Sequence, residues 1–219
     1  MVDDSNKPAR LAIFGAGGHG REIAWLATMA GWKTADLLFV VDNPAWVTGP
    51  VNGIHVLSLG DLCTDGIRTG FVVALGDSRH RESAATLCMN AGLEPVMLQA
   101  PDVLLSDSVQ AGEGSVICAG SILTTNIRLG RHVHINIGCT VSHDAWIDDF
   151  ATLSPGVRIS GHVQIGKHAF LGTGAVVING SKQQPLVIGA GAVVAAGACV
   201  TKSVPPGALV AGVPAVQKR

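Results

Sequence analysis

Apolar residues recur at every sixth position through the second half of the chain, from Leu105 to Val177. Between these two ends the same phase holds only apolar residues: Ala111, Ile117, Leu123, Leu129, Ile135, Val141, Ile147, Leu153, Ile159, Ile165 and Leu171. Neither a helix of period 3.6 nor a strand of period two keeps such a pattern in phase. A six-residue repeat is typical of a parallel β-helix, in which three units build one triangular coil of about eighteen residues.

A second series, four residues after each of these positions, consists mostly of small or β-branched residues and carries no charge. We therefore predict that the first series fills the interior of the coil and that the second occupies the tighter space near a corner. The phase breaks after Val177 and resumes at Ile188, which predicts a loop of five extra residues expelled from a corner. Pro205, Pro206 and Gly207 are predicted to end the coil before a short C-terminal cap.

The first hundred residues show a different pattern, in which short apolar runs alternate with helical segments. Strands are predicted at residues 10–14, 37–41, 71–75 and 93–98, and helices at residues 23–30 and 80–91. This alternation is typical of an α/β domain with a parallel sheet. We therefore predict a small Rossmann-like α/β domain over residues 1–100 and a β-helix over residues 101–219.

The segment between the first strand and the first helix carries the spacing Gly15-x-Gly17-x-x-Gly20, with Asp42 about twenty residues further on. Backbone N–H groups at a helix N-terminus attract a phosphate, and glycine lets the phosphate come close. Only about 85 residues precede the coil, enough for half of a two-lobed dinucleotide fold, so a mononucleotide diphosphate is favoured over NAD. His19, inside the loop, either donates a hydrogen bond to a phosphate or faces solvent.

Composition narrows the class of protein. The 219 residues carry a formal net charge of −1, which provides no basic footprint for a nucleic acid. Five cysteines without a C-x-x-C pair indicate buried thiols in a reducing compartment. The N-terminal residues lack the apolar core of a signal peptide, and no apolar run reaches membrane-spanning length. We therefore expect a soluble cytoplasmic protein.

Eight histidines raise the alternative of a zinc enzyme related to the γ-type carbonic anhydrases, which are also β-helices. However, His162 and His168 occupy the same phase on successive faces and are predicted to point to different sides of the coil. His132 lies two coils away from His168, so a three-histidine site would need a neighbouring subunit. His143 is followed by Asp144, an arrangement that orients a general base, although an ordinary surface pair has the same spacing.

Five segments, in this order, cover nearly the whole chain: GAGGHGREIA, VVDN, ALGDSRHR, INIGCTVSHDAWIDDFATLSPG and AGVPA. Together they resemble the bacterial nucleotide-aminosugar acetyltransferases that modify bacillosamine and perosamine precursors and are related to sialic-acid O-acetyltransferases. The resemblance implies a left-handed coil, a handedness that the periodicity does not show. It also implies acetyl transfer from acetyl-CoA to the 4-amino group of a UDP- or GDP-linked dideoxysugar, by a metal-free homotrimer with active sites between subunits.

The same resemblance implies roles for individual residues. The catalytic residues would be His143 as general base, Asp144 as its orienting carboxylate and Asn136 in the same pocket. The nucleotide sugar would contact Gly15, Gly17, Gly18, His19, Asp42, Asn43, Gly76, Asp77 and Arg81. CoA would contact Thr173, Gly191 and Gly161, with the backbone N–H of Gly161 facing the thioester carbonyl.

One position departs from the family, because Thr152 stands where its members often carry a second histidine. Cys118 and Cys139 are predicted to point inward, which disfavours an acyl-cysteine intermediate. Three further functions stay open: O-acetylation of a sugar hydroxyl, zinc-dependent hydration, and nucleotide binding without catalysis. Asp42, the acidic residue after the second strand, is compatible with the base of either UDP or GDP.

Overall fold

A computed structural model of the chain describes residues 7–47, 49–62 and 66–218. The chain divides into two compact units, Met1–Val96 and Met97–Arg219. The division falls four residues before the predicted boundary, because Leu98–Gln99 pairs with Val116–Ile117 and so belongs to the first coil of the β-helix. Among the described residues, none of the helices has the length and apolar character needed to cross a membrane.

The described part of the first unit forms a parallel sheet with the strand order β3-β2-β1-β4-β5. Its strands are β1 (Arg10–Phe14), β2 (Leu37–Val41), β3 (Val56–Ser58), β4 (Thr69–Val73) and β5 (Glu94–Pro95). The helices are α1 (Gly18–Met29), α2 (Leu59–Leu62) and α3 (Ser78–Asn90), with 3₁₀ turns at Thr34–Asp36 and Pro44–Trp46. Parallel order brings the carboxyl ends of β1, β2 and β4 to one edge, where the glycine loop, Asp42 and Gly76 follow.

The predicted strands at residues 10–14 and 37–41 match β1 and β2. The third strand begins two residues before its predicted start, because Thr69 and Gly70 already pair with β1. The strand predicted at residues 93–98 is confirmed only as the shorter β5, since only Glu94–Pro95 joins this sheet. Strand β3 was not predicted, because three residues are too short to show an apolar period.

The second unit is the predicted left-handed β-helix, and its described residues form three faces. Face 1 contains β6 (Leu98–Gln99), β9 (Val116–Ile117), β12 (His134–Ile135), β15 (Thr152–Leu153), β18 (Phe170–Leu171), β21 (Val193–Val194), β23 (Leu209–Ala211) and β24 (Val216–Gln217). Face 2 contains β7 (Leu104–Leu105), β10 (Ile122–Leu123), β13 (Thr140–Val141), β16 (Arg158–Ile159), β19 (Val176–Val177) and β22 (Cys199–Val200). Face 3 contains β8 (Gln110–Ala111), β11 (Arg128–Leu129), β14 (Trp146–Ile147), β17 (Val163–Ile165) and β20 (Leu186–Ile188).

The core of this unit follows the six-residue series. From Ile117 to Val177 every member of that series is buried, whereas Leu105 and Ala111, in the first coil, are half-buried. The smaller series is buried with it, including the hydroxyl of Ser115, which donates to Gly130 O and accepts from Val133 N. Burial of both series explains why the pattern contains large and small residues in alternation.

Three columns of residues with positive φ turn the coil from one face to the next. Corner 1, between faces 1 and 2, is built from Gly120, Gly138, Gly156, Gly174 and Gly197. Corner 2, between faces 2 and 3, is built from Asn126, Asp144 and His162. Corner 3, between faces 3 and 1, is built from Gly114, His132, Phe150, His168 and Gly191. Asn, Asp and His tolerate this conformation better than most other residues, so corner 2 can carry polar side chains where corner 1 has none.

The predicted five-residue insertion lies at corner 2. Trp146 pairs with Gln164, eighteen residues later, but Val163 pairs with Leu186, because residues 178–185 form an added loop. Beyond it, β23 continues face 1, and β24 pairs with β23 in antiparallel fashion as the C-terminal cap.

Candidate active site

A histidine–carboxylate pair lies at corner 2 of the coil. His143 Nδ1 is 2.8 Å from Asp144 Oδ2, and the two side chains are 52 % and 40 % exposed. A solute can therefore reach the imidazole, while the hydrogen bond to Asp144 holds the ring in one orientation. This arrangement is the one required of an oriented general base.

The Asp144 carboxylate has further polar neighbours from the adjacent coils. Asn126 Nδ2 donates to Asp144 Oδ1 at 3.2 Å, and His162 Nε2 lies 3.8 Å from Asp144 Oδ2. The hydrogen bond from His143, with help from Asn126 and His162, holds the pKa of Asp144 below its usual range. An ionised carboxylate only accepts hydrogen bonds, so Nδ1 of His143 is the donor, and in the neutral form of the ring Nε2 carries the lone pair.

Gly161 lies one coil after His143, against the imidazole ring. A Cβ atom at position 161 would be 2.5 Å from Cε1 and Nε2 of His143. Within the described residues, the N–H of Gly161 donates no backbone hydrogen bond. Only glycine therefore allows the observed position of the ring.

Asn126 and His162 were not selected from the sequence, although a signal for them existed. They lie eighteen residues before and after Asp144, the length of one coil, and residues at that spacing stack at the same corner. His162 also meets the His143 ring edge-on, with ring centroids 5.2 Å apart.

The arrangement of histidines differs from a three-histidine zinc site. One ligand atom from each of His143, Asp144 and His162 lies within 4.8 Å of the other two, so the donor set at this corner that could hold a metal ion contains two histidines and one carboxylate. His132 and His168 lie two coils apart at corner 3, whereas His162 lies at corner 2, and both corner 3 histidines stack on Phe150, with centroid separations of 5.1 and 5.6 Å. These two rings are part of the packing of corner 3.

Two cavities meet at Asp144. The larger, of about 580 Å³, runs from Asp144 along face 3 towards the first coils and is lined by residues that include Gln110, Arg128 and Trp146. The smaller, of about 350 Å³, runs from Asp144 towards the inserted loop and includes His162 and Lys182. Both cavities therefore border the carboxylate that holds the imidazole of His143.

The buried cysteines take no part in this site. Cys139 has no exposed surface, and burial raises the pKa of its thiol to about 11. Cys118 is 7 % exposed. Both residues are buried, and a buried thiol is a poor nucleophile.

In the first unit, the glycine loop joins β1 to α1 as predicted. Gly15 has φ +108°, and a Cβ atom on Gly20 would overlap the carbonyl oxygen of Gly15. By contrast, Gly17 is the N-cap of α1 and has no atom within 4 Å of its Cβ position. Gly20 therefore packs the helix against the strand, and the open part of the loop is at Gly17 and Gly18.

His19 lies beside this open space with its Nδ1 3.3 Å from Glu22 Oε2. Burial lowers the pKa of His19 despite the nearby Glu22 carboxylate. A neutral imidazole adds hydrogen-bonding capacity to the loop without positive charge.

Asp42 and Asn43 are exposed at the carboxyl end of β2. Asn43 Oδ1 accepts a hydrogen bond from Ala45 N at 3.0 Å and so caps the 3₁₀ turn that follows. Asp42 therefore provides the exposed carboxylate at this edge of the sheet.

Asp77 and Arg81, both expected to contact the nucleotide, have structural roles at the start of α3. Asp77 Oδ1 accepts from the backbone N–H groups of Arg79 and His80 and is the N-cap of α3. Arg81 is fully buried, its Nη1 donates to Leu75 O at 2.8 Å, and burial lowers its pKa to about 10. Both residues shape the loop that contains Gly76, and an aspartate before a helix is a readable capping signal.

The remaining predicted residues of the coil are not brought together within one chain. Asn136 precedes corner 1, separated from His143 by strand β13, and its Nδ2 donates to Leu153 O. Thr173 is also at corner 1, whereas Gly191 is at corner 3 above Lys167. The insertion shifts the register, so the residue whose N–H bonds to Thr173 O is Gly197.

Thr152, at the position of the family's second histidine, starts strand β15 on face 1. Its side chain is 4 % exposed. The substitution is therefore in a buried position on a different face from the His143–Asp144 pair.

A left-handed β-helix with an exposed histidine–carboxylate pair at a corner is the architecture of a hexapeptide-repeat acyltransferase. The family model described as the PglD N-terminal domain matches residues 10–87. GDP-perosamine N-acetyltransferase of Escherichia coli O157:H7 is 35 % identical over 93 % of this chain and 93 % of its own length. The chain belongs to this family of hexapeptide-repeat acetyltransferases, and it is an acetyltransferase.

Solved structures agree over the whole chain. WeeI from Acinetobacter baumannii AYE is 34 % identical, with a TM-score of 0.90 over 95 % of this chain and 99 % of that one. A histidine-to-asparagine mutant of perosamine N-acetyltransferase from Caulobacter crescentus, in complex with CoA and GDP-perosamine, is 31 % identical with a TM-score of 0.87 over 96 % of this chain and 97 % of that one. The acetyltransferase domain of PglB from Neisseria gonorrhoeae, in complex with acetyl coenzyme A, is 32 % identical with a TM-score of 0.87 over 96 % and 100 %.

Proposed function

We propose that this protein transfers the acetyl group of acetyl-CoA to the 4-amino group of a GDP-linked 4-amino-4,6-dideoxysugar. The observation that carries the proposal is the exposed His143–Asp144 pair, 2.8 Å apart, at the point where two cavities meet. The acceptor and the donor are suggested by the relatives from Escherichia coli and Caulobacter crescentus, which are named for perosamine.

In the proposed mechanism, the amine nitrogen attacks the thioester carbonyl carbon directly. Nε2 of His143 takes a proton from the attacking nitrogen, while ionised Asp144 stabilises the imidazolium that forms. The N–H of Gly161 donates to the oxyanion of the tetrahedral intermediate. Collapse of the intermediate breaks the C–S bond, and the CoA thiolate leaves with the proton from His143, so the base is regenerated.

The first unit is proposed to bind the nucleotide. The open backbone at Gly17 and Gly18 suits the diphosphate, because α1 begins there and its first N–H groups are available to a phosphate. Asp42 suits the base or ribose. Asp77 and Arg81 contribute indirectly, by holding the loop at Gly76.

The quaternary proposal is a homotrimer with face 2 towards the three-fold axis. Face 2 exposes Leu104, Ile122 and Val176, with exposures of 64 %, 40 % and 36 %, and an apolar surface of this kind favours association. This orientation would set corner 2 of one subunit beside corner 1 of the next. Asn136 and Thr173 of one chain would then approach His143 of another, although they are apart within one chain.

Mixed trimers of two inactive variants test this arrangement. His143→Ala and Asn136→Ala, co-refolded in equal amounts, are expected to regain about a quarter of wild-type turnover, because a quarter of the sites then pair an intact corner 2 with an intact corner 1. The measurement is thiol release, with each variant alone as the control. Activity no higher than that of the separate variants would contradict a site shared between subunits.

The function is tested by thiol release from acetyl-CoA with GDP- and UDP-linked 4-amino-4,6-dideoxysugars and with their 4-hydroxy counterparts. We expect turnover with a GDP-linked amino sugar and none with the hydroxyl analogue. Release only with a hydroxyl acceptor would replace the proposal by O-acetylation. Binding of nucleotide sugars without thiol release from any member would indicate a scaffold without catalysis.

A further inference from the structure

Beyond Asp144, the larger of the two cavities is lined on face 3 by side chains that the proposed catalytic chemistry does not use. Trp146 is 52 % exposed on its floor, two residues after Asp144. The six-residue series does not require an aromatic residue at this outward-facing position. An indole left half in solvent is a large apolar surface, and surfaces of this kind commonly serve recognition.

The neighbours of Trp146 on face 3 are planar polar side chains. Arg128 pairs with Trp146 on the preceding strand, and Gln164 pairs with it on the following strand. Strand spacing places the backbone of each about 4.8 Å from the backbone of Trp146. All three side chains are exposed and line the same cavity.

An apolar ring flanked by hydrogen-bond donors fits one class of ligand closely. A pyranose ring presents C–H groups on one face and hydroxyl groups at its rim. A 6-deoxy sugar adds a methyl group to the apolar part. The indole suits the C–H face and the methyl group, while the guanidinium and the amide suit the hydroxyls.

We infer that Trp146, Arg128 and Gln164 form the subsite for the sugar of the acceptor, with Trp146 selecting a 6-deoxy sugar. The inference rests on the proposed function and adds the residues that recognise its substrate. In this subsite the sugar lies beside Asp144, and its 4-amino group points to the adjacent His143. The donor then enters through the smaller cavity at Lys182, so the two substrates reach the base from opposite directions along the coil.

The test compares the kinetics of Trp146→Ala and Trp146→Phe with the wild type. The probes are GDP-4-amino-4,6-dideoxymannose, its 6-hydroxy analogue and acetyl-CoA. Trp146→Ala is expected to raise the KM for the 6-deoxy acceptor about tenfold and to reduce the preference in kcat/KM for the 6-deoxy sugar by a similar factor, the usual effect of lost apolar contact. Trp146→Phe is expected to restore most of that preference, and the KM for acetyl-CoA is expected to change less than about twofold in both variants.

Trp25→Ala is the matched control, because Trp25 is 50 % exposed on α1 of the other unit. A rise in the KM for acetyl-CoA in place of the acceptor would assign the cavity to the donor and overturn the inference. Unchanged acceptor kinetics in Trp146→Ala, beside an active wild type, would overturn it as well and leave the proposed function intact. A wild-type enzyme inactive with every amino sugar would instead overturn the proposed function, and the subsite with it.

Discussion

Replacement of His143 by alanine is expected to lower kcat for acetyl transfer by about two to four orders of magnitude, the usual contribution of a positioned general base. Asp144 holds the imidazole of His143 at hydrogen-bond distance. Without that ring, corner 2 has no other described imidazole held by a carboxylate in this way. The measurement is thiol release at saturating acetyl-CoA and acceptor. The KM for the acceptor is expected to change little, because the loss falls on the transition state.

Folding of the variant provides the first control. His143 is 52 % exposed, so its removal leaves no cavity, and the melting temperature is expected to stay within a few degrees of the wild type. His55→Ala, at an exposed histidine of the other unit, is expected to retain full turnover. Turnover of His143→Ala above a tenth of the wild-type value would contradict the assignment of His143 as the base.

Gly161→Ala is expected to lower kcat about a hundredfold, because small displacements of a catalytic group have effects of that size. The added Cβ would lie 2.5 Å from Cε1 and Nε2 of His143, and the ring can avoid it only by rotating away from its place beside Asp144. Gly161 does not have a positive φ, so the backbone accepts alanine and the fold is expected to persist. Gly60→Ala is a suitable control, since its Cβ would meet only Ser58 Oγ at 3.8 Å.

A double variant separates this route from general damage to the coil. If Gly161→Ala acts by displacing the imidazole, adding it to His143→Ala should cost little more than His143→Ala alone. A further hundredfold loss in the double variant would show that the methyl group disturbs another part of the site. Crystals of Gly161→Ala are expected to show His143 Nδ1 beyond hydrogen-bond distance of Asp144.

Much of the fold and part of the candidate site could be predicted from the sequence alone. Each coil has three equivalent faces, and each face contributes one six-residue repeat. The apolar series from Ile117 to Val177 therefore predicts both the coil and the residues of its interior. The break after Val177 specified the insertion in the same way. The Gly15–Gly20 spacing and the His143–Asp144 pair were also readable, because each consists of residues close together in the chain.

Only the tertiary structure decided which distant residues share a corner. One coil is eighteen residues long, so Asn126 and His162 join Asp144, while Asn136, nearer to His143 in the chain, lies at the previous corner. The insertion moved Gly191 to corner 3 and put Gly197 against Thr173. Likewise, only the structure shows that Asp77 caps α3 and that Arg81 is buried, at a loop where the resemblance implied contact with the nucleotide. The six-residue period shows which side chains face inward, because every repeat buries the same positions. Which outward-facing residues come together in a site depends on the register of the stacked coils.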